Sequence, residues 1–243
     1  MKSLIFSAVG NPLYFHSEYD SDNHWRYTKP ERNYETIVYQ YNDFEIEPDT
    51  FDFIDKGSGY KWIIAKKFLQ TFDYSNYEYI GFFDDDLVTD IKSVNRALEI
   101  AKNNDIKLFQ MSLNDDSEKQ HRVTFQDKNL SYTLTNFVEG MGVFVHQSLM
   151  NNFVKFWDFH EVRTGWGFDI VLSPMLRTKA AVIHEVSMHH VPKHNPYYDK
   201  SFAFEEMYHV LNNVYPKYMK NVYDLTVEPY TEPQQTYRMA LKL

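Results

Sequence analysis

Three consecutive aspartates, Asp84, Asp85 and Asp86, directly follow the apolar and aromatic run 77–83. The run is typical of a buried β-strand, and like charges gathered at its end repel one another. Because side chains two apart on an extended chain point the same way, Asp84 and Asp86 can face one cation. Carboxylates prefer hard cations such as Mg²⁺ or Mn²⁺. We therefore predict a divalent-metal site; the alternative is an acidic N-terminus of the helix that follows.

A second motif combines two glycines with a tryptophan and an aspartate, in the segment Thr164-Gly165-Trp166-Gly167-Phe168-Asp169. The glycines predict a tight turn that displays the indole, and Asp169 falls in the first turn of a predicted helix. A carboxylate held beside a ligand that stacks on Trp166 suits a general base. The alternative is a structural turn with a buried tryptophan, and the spacing alone favours neither.

Histidines near the end of the chain supply a further group of metal ligands. His184, His189, His190 and His194 lie within eleven residues of one another, and imidazole is the commonest nitrogen ligand of transition metals. A histidine beside carboxylates favours Mn²⁺ over Ca²⁺. Most of these histidines must have ordinary structural roles. One of the neighbours His189 and His190 must face the site, and either fits.

Three weaker features complete the candidate residues. The segment 57–61, Gly-Ser-Gly-Tyr-Lys, opens a predicted helix whose amides and Lys61 could hold a phosphate. Arg32 precedes a predicted strand and could reach a nucleotide, or it is a surface arginine. Glu139, just before Gly140, could contact a substrate hydroxyl, or it marks a bend at a β-bulge.

The composition favours a globular protein that does not bind nucleic acid. The chain has 243 residues, 43% of them hydrophobic, and a formal net charge of −9. Nucleic-acid binding requires clustered Lys and Arg, which this charge opposes. The absence of cysteine excludes disulfides, a thiolate nucleophile and Cys-type zinc sites. No apolar run reaches the length of a membrane span, so we expect a cytoplasmic protein and leave peripheral membrane contact open.

Predicted strands and helices alternate along the chain. The hydrophobic pattern predicts strands at 4–9, 35–41, 77–83, 107–113 and 180–191, one or two strands within 131–146, and helices at 61–72, 91–103, 147–159, 168–176 and 203–218. This alternation is typical of an α/β fold, where ligands bind at the carboxyl ends of the strands. Since no linker divides the chain, we expect one catalytic domain over 1–220 and a tail without assigned structure over 221–243.

The order of these motifs resembles the GT-A-fold glycosyltransferases and, more closely, the DUF707 family, which is expected to be glycosyltransferase-like. The resemblance spans residues 4–192 and rests on the segments 4–10, 32–34, 56–57, 61–62, 83–87, 137–139, 165–169 and 190–192. The aspartates resemble the Asp-x-Asp motif of that superfamily. Gly165-Trp166-Gly167-Phe168-Asp169 resembles the Gly-Trp-Gly-x-(Glu/Asp) stretch of inverting members, although it lacks their Gly-Glu-Asp continuation. The resemblance implies a Rossmann-like, mixed and mostly parallel central sheet flanked by helices.

The resemblance also implies a role for each candidate residue. Asp84, Asp86 and a histidine, taken as His190, would bind Mn²⁺ or Mg²⁺, and Asp169 would be the catalytic base. The residues that would border the nucleotide are Ala8, Val9, Gly10, Arg32, Lys61, Asp84 and Asp85, and those that would contact sugar or acceptor are Glu139, Trp166 and Gly167.

The function expected from these residues is that of an inverting, metal-dependent glycosyltransferase. It would move a sugar from a nucleotide-sugar, most simply a UDP-sugar, to a hydroxyl of a glycan or glycoconjugate acceptor. Two other classes remain open: a metal-dependent phosphohydrolase, and a non-catalytic carbohydrate-binding protein that uses its aromatic residues as stacking surfaces. The sequence names neither the donor sugar nor the acceptor.

Overall fold

The computed structural model describes residues 1–10, 23–46, 50–118, 121–191 and 200–228. The strands are β1 (Lys2–Val9), β2 (Tyr34–Gln40), β3 (Phe53–Lys56), β4 (Tyr77–Asp84), β5 (Leu87–Val88), β6 (Leu108–Leu113), β7 (Tyr132–Thr135), β8 (Gly142–His146) and β9 (Ala180–His190). The helices are α1 (Lys61–Thr71), α2 (Ile91–Asn103), α3 (Gln147–Lys155), α4 (Phe168–Met175), α5 (Lys200–His209) and α6 (Tyr215–Tyr223). A π-helical turn, Val210–Val214, joins the last two.

All nine strands join one central sheet in the order β3-β2-β1-β4-β8-β6-β9-β5, with β7 also paired to β9. The pairings among β1, β2, β3 and β4 are parallel. Strand β8 is antiparallel to both of its neighbours, and β9 is parallel to β6 but antiparallel to β5 and β7. The sheet is therefore mixed, and the expected α/β fold with helices around a central sheet is confirmed.

Each face of the sheet carries its own core because side chains alternate along the strands. On β1, Leu4 and Phe6 pack into the core covered by α1, α3, α4 and α6. Ile5 and Val9 point the other way, into the core shared with α2 and Trp25. Helices on both faces explain why the first strands read as continuous apolar runs rather than as alternating ones.

Two strands have no counterpart in the pattern-based prediction. Strand β3 is a four-residue edge strand whose side chains are all exposed, so burial leaves no mark on its sequence. Strand β5 has only two residues and forms by pairing with β9. Both depend on neighbours that are distant in sequence, a dependence that local hydrophobic periodicity cannot register.

The C-terminal part of the described chain is helical. Helix α6 ends at Tyr223 and is followed by Asp224 in the left-handed conformation. The tail predicted from residue 221 therefore begins inside α6, and its residues 229–243 lie outside the described ranges. Within those ranges no helix is long and apolar enough to span a bilayer.

Candidate active site

The aspartates lie at the point where the direction of strand addition reverses. From β1 the chain continues outward to β2 and β3 on one side, whereas β4 pairs on the other side. In such sheets the carboxyl ends of the two central strands leave a crevice in which ligands bind. Gly10 follows β1 and Asp84 ends β4, and the Gly10 amide donates a hydrogen bond of 3.0 Å to Asp85 Oδ2.

The loop after β2 also reaches this crevice. The side chain of Asn42 donates to the Gly10 carbonyl at 2.7 Å. The ring of Tyr41 lies against Gly10 so closely that a Cβ there would be 1.9 Å from a ring carbon. A side chain at position 10 would therefore have to displace this ring. The half-exposed Tyr41 and the backbone of Gly10 therefore form one wall of the crevice, and Tyr41 was missed because nothing in its local sequence marks it.

The alternative reading of the aspartates as a helix N-terminus does not hold. Helix α2 begins after Asp90, whose side chain accepts a hydrogen bond from the Ser93 amide. A short strand, β5, separates this cap from Asp86. The three carboxylates thus need another explanation than the dipole of α2.

Lys61 lies at the centre of this end of the sheet but is engaged by the protein itself. Its Nζ is 2.7 Å from Asp84 Oδ1, and it donates to the carbonyls of Phe82 at 3.0 Å and Gly140 at 2.7 Å. An ammonium group has three protons, and these three acceptors match them. Lys61 therefore connects the end of β4 to the loop before β8 and neutralises Asp84.

Asp86 is fully buried and faces His190. The pairing of β5 with β9 aligns Leu87 with His190, which brings the Asp86 and His190 side chains together. His190 Nε2 is 3.4 Å from Asp86 Oδ2, whereas the neighbouring His189 turns its Nδ1 to Asn114. The register that the sequence left open thus places His190, not His189, beside the aspartates.

The other two histidines of that group do not join this pair. His184 accepts a hydrogen bond from the Asp127 amide at 3.1 Å and contacts Thr133, so it packs between β9 and β7. His194 lies outside the described ranges.

The chemistry of the pair fits a divalent cation, because a carboxylate and an imidazole are both ligands of Mn²⁺. In the part of the chain that the structure describes, however, no group of three or more His, Asp or Glu side chains converges on one point. The expected third ligand, Asp84, is held by Lys61. The structure thus presents two of the three expected ligands in contact and the third in an ion pair.

Glu139 lies on the loop between β7 and β8 and is held by two fully buried residues. Its Oε1 accepts a hydrogen bond of 2.6 Å from Thr124 Oγ1, and its amide donates to Gln110 Oε1 at 2.5 Å. Burial raises the pKa of Glu139 to about 7, although Thr124 and the nearby His190 oppose that increase. Glu139 therefore titrates near neutral pH on the same side of the sheet as His190.

Asp169 lies in the first turn of α4, as the Gly-Trp-Gly segment predicted. Burial raises its pKa to about 7, and the negative charge of Glu139 adds to the increase. The Ile170 amide, 2.8 Å from Asp169 Oδ1, acts in the opposite sense. Glu139, from a loop distant in sequence, is therefore close enough to Asp169 to influence its ionisation.

Trp62 packs against both the loop that contains Glu139 and the turn that precedes Asp169. Its side chain is buried, and a Cβ added to Gly165 would lie 2.5 Å from its Nε1. A Cβ at Gly140 would lie 3.0 Å from its ring. Both glycines thus rest on one indole, which sets the spacing between Glu139 and Asp169. In the sequence, Trp62 is indistinguishable from any apolar residue on the buried face of a helix.

Glu206 on α5 fixes the turn that carries Trp166. This buried carboxylate accepts hydrogen bonds from the amides of Arg163 and Thr164, both at 2.7 Å, and from Thr164 Oγ1 and His160 Nε2. Burial by itself would raise the pKa of Glu206, but the hydrogen bonds from His160 and Thr164 lower it below its usual range. Glu206 therefore remains ionised and anchors the turn.

The remaining predicted residues are placed as follows. Ala8 and Val9 are buried at the end of β1, next to Gly10. Gly167 adopts a φ of +82°, and a Cβ there would lie 2.9 Å from Met207 Cα, so its role is close packing against α5. Trp166 is half-buried above the same helix.

Arg32 is the one predicted site residue that the structure places elsewhere. It precedes β2, and the parallel register pairs the start of β2 with the start of β1. Seven residues of extended strand separate that end from Gly10, or roughly 20 Å. The Nη2 atom of its buried side chain donates to both carboxylate oxygens of Asp52, at 2.6 and 2.7 Å. The expectation that Arg32 contacts a nucleotide beside Gly10 is therefore wrong.

Comparisons with known proteins agree with this architecture. The described fold is similar to residues 1–349 of TarS from S. aureus, with a TM-score of 0.54 and 11% identity over 97% of this chain and 68% of that one. The same fragment in complex with UDP-GlcNAc gives a TM-score of 0.55 and 12% identity over 97% and 69%. Against the longer TarS structure the TM-score is 0.55 at 11% identity, and the chain spans 48% of it. A sequence comparison with curated proteins gives no match.

The fold of this chain is therefore similar to that of TarS, a GT-A glycosyltransferase. The sequence is similar to one particular family. Residues 31–142 match the family described as "Protein of unknown function (DUF707)". The matched segment contains β2 to β7, the three aspartates and Glu139, so the expected similarity to this family is confirmed.

Proposed function

We propose that this protein is an inverting glycosyltransferase that uses a nucleotide-sugar, most simply a UDP-sugar, and a carbohydrate acceptor. One observation carries the proposal. Asp169, whose pKa is raised to about 7 by burial, lies within electrostatic range of Glu139, which in turn is near His190, the residue that faces Asp86. The structures of TarS with UDP-GlcNAc and with UDP support the same donor class for this fold.

The donor would bind at the crevice between β1 and β4. Its nucleotide would lie against the ring of Tyr41, which covers Gly10. Its diphosphate would lie toward Asp85 and Asp86, beside His190. Asp86 and His190 would hold Mn²⁺ or Mg²⁺, and Asp84, whose Oδ1 is paired with Lys61, could join them through its other carboxylate oxygen. Such a metal, when bound, neutralises the negative charge of the diphosphate leaving group.

Asp169 would act as the general base. A pKa of about 7 leaves a substantial fraction of this carboxylate ionised at neutral pH, and the same pKa makes it a better proton acceptor than an ordinary aspartate. It would take the proton of the acceptor hydroxyl as that oxygen attacks the anomeric carbon. The bond from this carbon to the diphosphate breaks in the same step, so the configuration inverts.

Glu139 and Trp166 would position the sugar and the acceptor. The Glu139 carboxylate, oriented by Thr124, can accept a hydrogen bond from a sugar hydroxyl. The indole of Trp166 offers an apolar face against which the C–H groups of a pyranose can pack. Both side chains lie on loops that the Trp62 indole supports, so their separation is fixed before substrate binds.

The experiment that tests this proposal is a thermal-shift panel with UDP, GDP, CMP and their common sugar conjugates, with and without Mn²⁺. A ligand that binds the native state raises the melting temperature by mass action. We expect a shift specific for one nucleotide, dependent on Mn²⁺ and lost in Asp86→Asn. Asp43→Asn, at a side chain that is 94% exposed, is the matched control and should keep the shift.

The opposite outcome is equally informative. A folded protein that responds to none of the nucleotides, but hydrolyses p-nitrophenyl phosphate with Mn²⁺, would favour a phosphohydrolase. If the nucleotide still raised the melting temperature of Asp86→Asn in the absence of Mn²⁺, the protein would remain a candidate transferase. Its mechanism would then not require a metal.

A further inference from the structure

Helix α5 exposes two large aromatic side chains on one face. Phe204 is 44% exposed and Tyr208 is 36% exposed, although most aromatic residues within the described ranges are buried. They are four residues apart, so they lie one above the other on the helix surface, about 6 Å apart along its axis. Nothing about helix stability requires aromatic residues at these exposed positions, because other residue types have higher helix propensity.

The aromatic face of α5 is continuous with the candidate active site. The ring of Phe204 meets the indole of Trp166 edge to face, with the centroids 5.0 Å apart and the planes at 86°. Trp166 lies three residues before Asp169, in the turn that Glu206 of the same helix anchors. The position of Trp166 relative to α5 is therefore fixed by hydrogen bonds as well as by ring packing.

We propose that Trp166, Phe204 and Tyr208 form an extended acceptor subsite, which binds a carbohydrate chain of at least two sugar units along α5. This inference deepens the proposed function, on which it rests, because it states that the acceptor is an oligosaccharide or polysaccharide rather than a single sugar. The unit that receives the new sugar lies against Trp166 beside Asp169, and the following units pack on Phe204 and Tyr208.

The size and chemistry of the surface favour a glycan over a protein partner. Large aromatic side chains bury roughly 150–250 Å² each when covered, so the exposed parts of Phe204 and Tyr208 offer on the order of 200 Å² together. A stable protein interface needs about 800 Å² on each partner. The neighbouring rings offer apolar surface on which the C–H groups of successive sugar units can pack. The formal net charge of −9 further favours a neutral glycan over an acidic one.

The test measures glycan binding directly, without the donor. The intact protein is run in native gels that contain a soluble neutral polysaccharide, in turn a β-glucan, a xylan or a galactomannan. The protein is then titrated with oligosaccharides of one to six units, taken from whichever polysaccharide slows its migration. These titrations give the dissociation constants. We expect retardation in at least one gel, affinity that rises from one to three units, and a loss of roughly three- to tenfold in Phe204→Ala and in Tyr208→Ala. Phe53→Ala is the matched control, since Phe53 is 42% exposed on the distant edge strand β3.

Three outcomes would overturn the subsite. One is the absence of retardation in every gel, and another is an equal effect of Phe53→Ala and Phe204→Ala. The third is a dimer in sedimentation velocity that Phe204→Ala dissociates, which would assign this face to a second copy of the chain.

The nucleotide panel separates this inference from the proposed function. A nucleotide-specific thermal shift without glycan retardation rejects the subsite and retains the transferase. Retardation that depends on Phe204 and Tyr208 without any response to nucleotide retains the subsite, and it makes the protein a carbohydrate-binding module instead.

Discussion

The two sides of the candidate site handle negative charge in opposite ways. At the aspartate end, Asp84 is paired with Lys61. Asp85 accepts a hydrogen bond from the Gly10 amide, and Asp86 faces His190. On the other side, burial raises the pKa of both Glu139 and Asp169, and the charge of Glu139 raises that of Asp169 further. The first arrangement stabilises the ionised form of the aspartates. The second keeps two carboxylates close to protonation at neutral pH, which is the property that a general base requires.

The two sides also differ in how the chain assembles them. The aspartates are consecutive in sequence and occupy the end of a single strand, so the local pattern displays them. Glu139 and Asp169 are thirty residues apart and meet because Gly140 and Gly165 both pack on Trp62. A site built from a continuous segment tolerates changes elsewhere, whereas a site built across loops depends on the side chain that supports them.

The largest effect that we expect is on the base. Asp169→Asn should lower kcat by about 10²–10⁴-fold, because it removes the group that accepts the proton, and it should leave donor affinity within about twofold. The measurement is steady-state transfer with the donor found in the nucleotide panel, together with a binding titration. Glu161→Gln, on an exposed neighbour of the same loop, should be neutral. If Asp169→Asn kept the wild-type kcat, Asp169 would not be the general base.

The next prediction concerns the aspartate end of the site, where Lys61 pairs with Asp84. Lys61→Met keeps the stem of the side chain but leaves Asp84 and the carbonyls of Phe82 and Gly140 without their donor. Because both partners of the ion pair are partly exposed, we expect a loss of about 2 kcal/mol in the free energy of unfolding. Urea denaturation measures it, and Lys67→Met on the exposed face of α1 is the control. Equal stability of the two variants would show that Lys61 is dispensable to the fold and available to ligands.

The smallest effect concerns stability and pH. Burial first, and the charge of Glu139 second, raise the pKa of Asp169 to about 7, well above that of an unfolded aspartate. The folded state therefore binds this proton more tightly, and the stability that it contributes is complete below about pH 4 and lost as pH rises through 7. Asp169→Asn should gain on the order of 2–3 kcal/mol relative to wild type between pH 5 and pH 8. Denaturation curves at both pH values measure it, and a difference independent of pH would contradict the raised pKa.

Much of the fold followed from hydrophobic periodicity. The strands that became β1, β2, β4, β6 and β9, and the helices that became α1, α2 and α4, were predicted within a few residues of their observed bounds. These elements are buried on at least one face, so their apolar residues recur at the spacing typical of a helix or a strand. The exposed strand β3 and the two-residue strand β5 lack that period and were missed.

The site was predictable where it is local. The aspartates at the end of β4 and Asp169 in the first turn of α4 lie where the sequence placed them. Arg32 was misassigned because a segment that precedes a parallel strand lies at the end of the sheet opposite to the crevice, and this follows from register rather than from composition. Tyr41, Trp62 and Glu206 were missed because each acts on residues far from it in sequence.

The order and type of the residues thus sufficed for the α/β class, for the aspartate motif and for the glycine–tryptophan turn, because strand and turn preferences are local. Three-dimensional packing was needed to choose His190 over His189, to pair Lys61 with Asp84, and to bring α5 against Trp166. Each of these contacts joins segments separated by more than twenty residues. Their partners are selected by strand register and core packing, which arise only when the whole sheet is assembled.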